Sequence, residues 1–334
     1  MAALSPATPQ QALAAFARQS RIRIWEVVLW VAAFGAWLLL PAYSALMNEI
    51  AILALFAVSL DLILGYGGIV SLGHAAFFGT GAYAAALFAK HAMPDPLLGL
   101  VVAAAATALL GAITSLLVLR GSDLTRLMVT LGVALILYEL ANRFSGITGG
   151  ADGLQGVVMG PLLGYFAFDL GSRVASLYSL VALALLFFAA RRLVHSPFGY
   201  GLKAIRDNTL RATAIGIGRN AHLAIVYTIS ATLAGVAGAL LAQTSGFASL
   251  DVFDFHRSAD VLLVLVIGGV GWLYGGIFGA IGFKLLQELF SALTPQYWQG
   301  LIGVVLVVLV LVGQERMRNA VRAVASLRGA RTEP

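Results

Sequence analysis

The chain has 334 residues, 60% of them hydrophobic and only 11% charged, with a mean hydropathy of +0.92. Soluble domains carry roughly 25% charged residues, so a soluble fold is excluded. The absence of cysteine excludes a disulfide framework, a thiol nucleophile and a thiolate metal site. The net charge of +6 reads as charge asymmetry across a membrane rather than as a nucleic-acid footprint.

Residues 1–23 form a polar tail without a small-residue cleavage site behind a short apolar core, so no removable signal peptide is expected. Ten spans follow, at 24–40, 49–64, 72–90, 97–119, 126–142, 176–190, 222–243, 258–270, 275–292 and 299–313. Several charge-free runs, such as Leu97 to Leu119 and Leu289 to Gly313, suffice for the ~20 helical residues that a hydrocarbon core requires. Backbone groups have no water partner there, and runs without period-2 alternation select helices over a barrel. The expected fold is therefore all-α: a polytopic membrane helical bundle of about ten transmembrane helices with broken or re-entrant segments. The glycines at 268, 269, 271, 275 and 276 leave a re-entrant turn open as an alternative to two full spans. The transmembrane domain would cover 24–313, with a cytoplasmic loop at 191–221 and a basic tail at 314–334. With both termini cytoplasmic, sixteen of the 21 Lys and Arg residues fall on the cytoplasmic side.

Three segments carry more than membrane character. The first, GYGGIVSLGHAAFFGTGAYAAAL (Gly65 to Leu87), places a glycine turn before small residues at helical spacing. Two readings fit: tight helix packing, or a broken helix beside a pathway. His74 is its titratable group, as a hydrogen-bonded structural residue or a substrate contact. In the second, HSPFGYGLKAIRDNTLRATAIGIG (His195 to Gly218), Ser196-Pro197 starts a helix and Asp207 or Asn208 caps another. Leu202 and Ile205 would offer the cytosol an apolar edge, with Lys203, Arg206 and Arg211 solvated, suited to a partner's groove. The third, VLLVLVIGGVGWLYGGIFGAIG (Val261 to Gly282), repeats the helix, glycine turn and small-residue helix of the first, as an internal repeat or as two unrelated packing turns.

Together these segments closely resemble branched-chain amino-acid ABC transporter permeases. The resemblance runs through GYGGIVSLGHAAFFGTGAY, LYELANRFSGITGGADGL, FGYGLKAIRDN and VIGGVGWLYGG over roughly residues 45–313, and TGGADGL points to the LivM-type subunit. It departs at Ser122 to Arg126 and at Thr209 to Thr213, where relatives often carry other residue types. The resemblance implies a bacterial inner-membrane importer in which a second, LivH-like permease, two cytoplasmic ATPases and a periplasmic binding protein assemble in the lipid, with no nucleic acid. It implies a coupling loop contacting the ATPase, with Gly199, Leu202, Ile205, Arg206, Asp207, Asn208 and Arg211 as its coupling residues. Alternating access requires no cofactor in this chain, since the partner ATPases bind ATP; the chain lacks GxxxxGK[ST]. Pathway residues are expected at His74, Phe77 and Thr130. The binding protein is expected to dock on Arg143 to Arg173 and Ala248 to Arg257. Branched-chain amino acids, urea, amides and aromatic acids remain open as substrates.

Two rival functions are weighed. An ion-coupled secondary transporter needs ionisable groups at membrane depth. Asp61 and Glu139 fall near span ends, and Lys284 is expected to pair with Glu288 one turn on. An enzyme is disfavoured, because neither HExxH nor GxSxG occurs and the five histidines are scattered.

Overall fold

The structure is a computed structural model that describes residues 23–168, 171–294, 296–297, 300–305 and 307. Both expected tails, apart from Arg23, and much of the last expected span lie outside the described residues. Among the described residues there are helices and two isolated β-bridges, but no strand.

Helix α1 spans Ile24–Leu39. Helix α2 spans Ser44–Asp61 and runs on into a π-helical turn, Leu62–Tyr66. Next come α3 (Ala75–His91), α4 (Pro96–Val118), α5 (Asp123–Arg143), the single turn α6 (Ser145–Thr148) and α7 (Arg173–Val194). Two short helices, α8 (Pro197–Asp207) and α9 (Thr209–Ala214), precede α10 (Arg219–Ser245), α11 (Phe255–Gly268) and α12 (Leu273–Leu293). Nine of the ten expected spans thus fall on these helices, and the described residues of the tenth, 300–305 and 307, are helical too. Among the described residues, six segments are long and apolar enough to cross a membrane by length and composition. The 14 residues of α11 reach only about 21 Å at 1.5 Å per residue, so a count of complete crossings does not follow from its presence.

Burial orders the bundle. In α10 and the α2 segment, 72% of the most apolar window is buried, against 22% for α5 and 28% for α4. The first two form the centre, and α10 packs against α2, α3 and α4. The α3–α10 crossing depends on paired glycines, since a Cβ on Gly81 would collide with the Gly235 carbonyl. Close backbone approach of this kind suits helices in lipid, where apolar tails remove the hydrophobic drive for association. Outside this core, α7 and α12 flank α2, and α11 packs along α12.

The bundle has two distinct ends. One carries the turn at Gly65, the turn between α11 and α12, and α8 with α9. The other carries the connections around residues 92–96, 144–172 and 246–254. There the Leu154 and Ala248 backbones pair, and the Lys90 ammonium donates to the Gln155 carbonyl at 3.1 Å. The two loops expected to receive a binding protein therefore lie against each other.

Candidate functional site

The site begins at the end that carries α8. Pro197 occupies the first turn of α8, and the Ser196 hydroxyl accepts from Gly199 N at 3.4 Å. Asn208, rather than Asp207, caps α9 by accepting from Arg211 N at 2.9 Å. Both helices therefore start where the sequence signals them. Their apolar faces do not point where expected. Leu202 is 0% exposed and Ile205 2%, and Gly199 is also buried. Leu202 and Ile205 anchor α8 to the bundle, which corrects the expectation that they offer the cytosol an apolar edge. An amphipathic pattern identifies the face that is covered, but not what covers it. The exposed apolar groups are instead Leu210 (83%) and Ile215 (75%), beside exposed Arg211. Sequence reasoning missed both of these side chains.

Arg206 and Asp61 join the three segments that the sequence singles out. The Arg206 guanidinium donates to the Gly65 carbonyl in the first glycine turn. Its Nε and Nη2 also donate to Asp207 Oδ1, at 3.1 and 3.0 Å. Asp61, at the end of α2, accepts from Gly271 N at 2.7 Å, across 210 residues of sequence. Gly271 has φ +79°, a left-handed conformation that favours glycine. A Cβ on Gly65 would lie 2.6 Å from Gly271 N, so these two turns meet only because neither carries a side chain. The Lys203 ammonium sits over the rings of Tyr66 (5.3 Å) and Tyr200 (5.1 Å). Partial burial holds its pKa below the usual lysine value; the neighbouring Arg206 charge adds to that effect and Asp207 opposes it.

Deeper in the bundle, His74, Phe77 and Thr130 are all buried. The Ser59 hydroxyl lies 2.6 Å from the Phe56 carbonyl and 2.9 Å from His74 Nε2. Its single proton goes to the carbonyl, so Nε2 must carry the imidazole proton and donate to Ser59. Nδ1 then is an acceptor, buried and without a hydrogen-bond partner among the described residues. The ring stacks on Phe56 at 5.4 Å and meets the edge of Phe77 at 5.7 Å. Phe77 in turn meets Tyr227 at 5.6 Å. Thr130 is remote from this chain of rings in its bonding: its hydroxyl donates to Leu127 O at 3.0 Å, and its backbone abuts Gly73.

Towards the far end a cavity of about 280 Å³ opens between α2, α3, α10, α11 and α12. Glu49, Arg257, Asp260, Lys284 and Gln287 line its polar side, and Phe56 and Phe78 belong to its apolar side. Lys284 Nζ lies 2.7 Å from Glu49 Oε2. This corrects the expected Lys284–Glu288 pairing, because a helix-neighbour rule does not register a partner 235 residues away. Among the described residues, no three His, Asp or Glu side chains converge as a metal site.

Residues 42–311 match the family described as branched-chain amino acid transport system / permease component. The chain belongs to this family. It is 32% identical over 261 residues to the high-affinity branched-chain amino acid transport system permease protein LivM of Salmonella typhimurium, covering 70% of this chain and 60% of that protein. The Escherichia coli LivM protein gives the same identity and coverage. The E. coli permease protein LivH is 26% identical over 117 residues, 35% of this chain and 38% of that protein. The chain thus spans about 60% of the length of the LivM relatives it matches. No solved structure matches. Family membership and the apolar helices together make this a multi-pass membrane protein of the permease type.

Proposed function

We propose that the chain is a transmembrane permease subunit of an ABC importer, forming half of a translocation pathway for branched-chain amino acids or a related small polar substrate. The observation that carries this reading is the clamp at Arg206. A short helix on one end of the bundle is tied through one guanidinium to a glycine turn of the first broken segment, which meets the turn of the second. Force applied to α8 and α9 therefore reaches both broken segments by direct contact. Membership of a permease family and the likeness to LivM supply the rest.

In this reading α8 and α9 face the cytoplasm, both termini lie on that side of the inner membrane, and two ATPase subunits bind there. A LivH-like second permease completes the pathway, and a periplasmic binding protein docks on the opposed loops around Leu154 and Ala248. Gly199, Leu202 and Ile205 hold the coupling element in place, Arg206 and Asp207 transmit, and Asn208 and Arg211 shape the docking turn. His74, Phe77 and Thr130 are sealed in this conformation and reach the pathway when α3 shifts against α5 and α10. ATP changes the equilibrium only if the ATPase binds the coupling element differently in its nucleotide states.

The test uses surface residues, so that folding is spared. Leu210→Asp combined with Arg211→Glu, in a complex coexpressed with its ATPases, should weaken ATPase co-purification roughly tenfold or more, as hot-spot losses do. Transport should fall with it. Unchanged association and transport would sink the coupling assignment.

A further inference from the structure

Helix α7 begins beside a long apolar groove at the end of the bundle opposite α8. The groove has a volume of about 730 Å³, lies between α4 and α7 and reaches Val236 of α10. Its walls are hydrocarbon, from Leu97 and Val101 on α4 to Val181 and Leu185 on α7. Among the described lining residues one hydroxyl occurs, that of Tyr178, and it is buried against Gln243 Oε1 at 2.9 Å. A polar solute finds no partner along such walls, and cavities lined in this way stay dry. Helix α4 turns this side outward, since Leu97 and Val101 are both exposed.

Arg173 stands at the mouth of the groove and is exposed. Its guanidinium lies over the Trp37 indole, 5.5 Å from the ring centroid, and Trp37 Nε1 donates to the Arg173 carbonyl at 3.1 Å. Stacking covers one face of the guanidinium and leaves the N–H donors in its plane for an anion. No acidic side chain pairs with it among the described residues. A tryptophan beside it fits the level of the lipid headgroups. The turn after Pro161, closed by the Leu162–Phe166 backbone pair, brings exposed Leu163 and Phe166 to the same mouth.

The depth of the groove matches one leaflet. Leu185 stands twelve residues beyond Arg173, about 18 Å along α7 at 1.5 Å per residue. Half of a ~30 Å hydrocarbon core is about 15 Å. Spread over that length, the volume gives a mean section of about 40 Å², roughly half that of a helix 10 Å across. The groove is therefore too narrow for a partner helix. We propose that it binds one anionic glycerophospholipid from the leaflet opposite α8. The lipid phosphate accepts from Arg173, and an acyl chain runs between α4 and α7 beneath Leu163 and Phe166. Bound there, it bridges two helices that do not pack closely on each other. The site requires only that the chain spans a bilayer, so it stands apart from the permease reading.

The test is photolabelling of the full chain, assembled with its partner subunits in nanodiscs, by a phosphatidylglycerol that carries a diazirine in its acyl chain. Labelled peptides should come from α4 and α7, around Val101, Val181 and Leu185. Unlabelled phosphatidylglycerol should compete at least roughly fivefold better than phosphatidylcholine, the share of one arginine near a membrane surface. Arg173→Gln should abolish that preference, whereas Arg173→Lys keeps the charge and should retain most of it. Native mass spectrometry should show phosphatidylglycerol retained by the wild-type complex and lost from the Arg173→Gln complex. Even labelling of all lipid-facing helices overturns the site, as does equal competition by the two lipids. A preference that survives Arg173→Gln removes the headgroup contact and the proposal with it. An unlabelled groove in the assembled complex would mean that a partner protein covers it, which also overturns the assignment.

Discussion

At the residue scale, Asp61 does one thing that its charge does not require. Its Oδ1 accepts from Gly271 N, a backbone donor in the turn just before α12. The other carboxylate oxygen is buried without a partner, so the hydrogen bond, rather than the ionised state, is the larger part of the residue's role. The consequence is a contrast between two substitutions. Asp61→Asn keeps an acceptor oxygen for Gly271 N and should cost less than Asp61→Ala, which strands that donor and should cost about 1–3 kcal/mol. Thermal unfolding of the purified protein in detergent measures both. Equal losses in the two variants would shift the weight from the hydrogen bond to the attraction between Asp61 and Arg206.

At the element scale, helix α1 is the outlier. Ile24, Val28 and Val31 are exposed, and the helix packs only sparsely on α7, while its Trp25 meets Tyr274 at the start of α12 at 4.6 Å. Beside that ring contact its start carries an ion pair, Glu26 with Arg191 of α7 at 3.1 Å, in which both side chains are nearly buried. Trp30 packs beside it on Phe187 and Phe188, both at 5.5 Å. Removing one member of such a pair leaves a buried charge, whereas removing both often costs little. Arg191→Met should therefore destabilise by about 3–5 kcal/mol, and adding Glu26→Leu should recover most of that loss. A thermal scan of the single and double variants decides it; no recovery would mean that Arg191 serves chiefly its other contacts. Elements such as α1 were legible from the sequence, because a long apolar run without alternation has no other stable form in a bilayer. Caps were legible too, since Ser196-Pro197 and Asn208 act within three residues of themselves. Partners across the chain were not. The face of α8 bearing Leu202 and Ile205 could equally have met a partner, and Lys284 had a plausible acid one turn away. The contacts actually made, with Glu49 and between Asp61 and Gly271, join positions more than 200 residues apart, where local pattern carries no signal.

At the scale of the whole molecule, the two glycine turns and α8, the proposed coupling helix, form one junction at one end, while the charged cavity lies towards the other. If ATPase closure is to reach that cavity, α8 must carry the Gly65 turn with it rather than slide over it. The contact favours joint movement: Arg206 bonds the turn carbonyl, and an ideal Cβ on Gly68 would sit 3.6 Å from the Arg206 Cβ. That spacing is within the roughly 3.5–4.5 Å range of a disulfide, and the chain has no native cysteine to confuse the result. Gly68→Cys with Arg206→Cys should therefore cross-link on mild oxidation, at some strain cost because Gly68 has φ +69°. Comparing the oxidised and reduced forms of this one variant cancels the loss of the arginine itself. Transport by the reconstituted complex should be the same in both forms, because a bond between two parts that move together constrains nothing. A fall in transport on oxidation that is reversed by reductant would show instead that α8 slides across the turn during the cycle, and would require another route from the ATPase to α2 and α12.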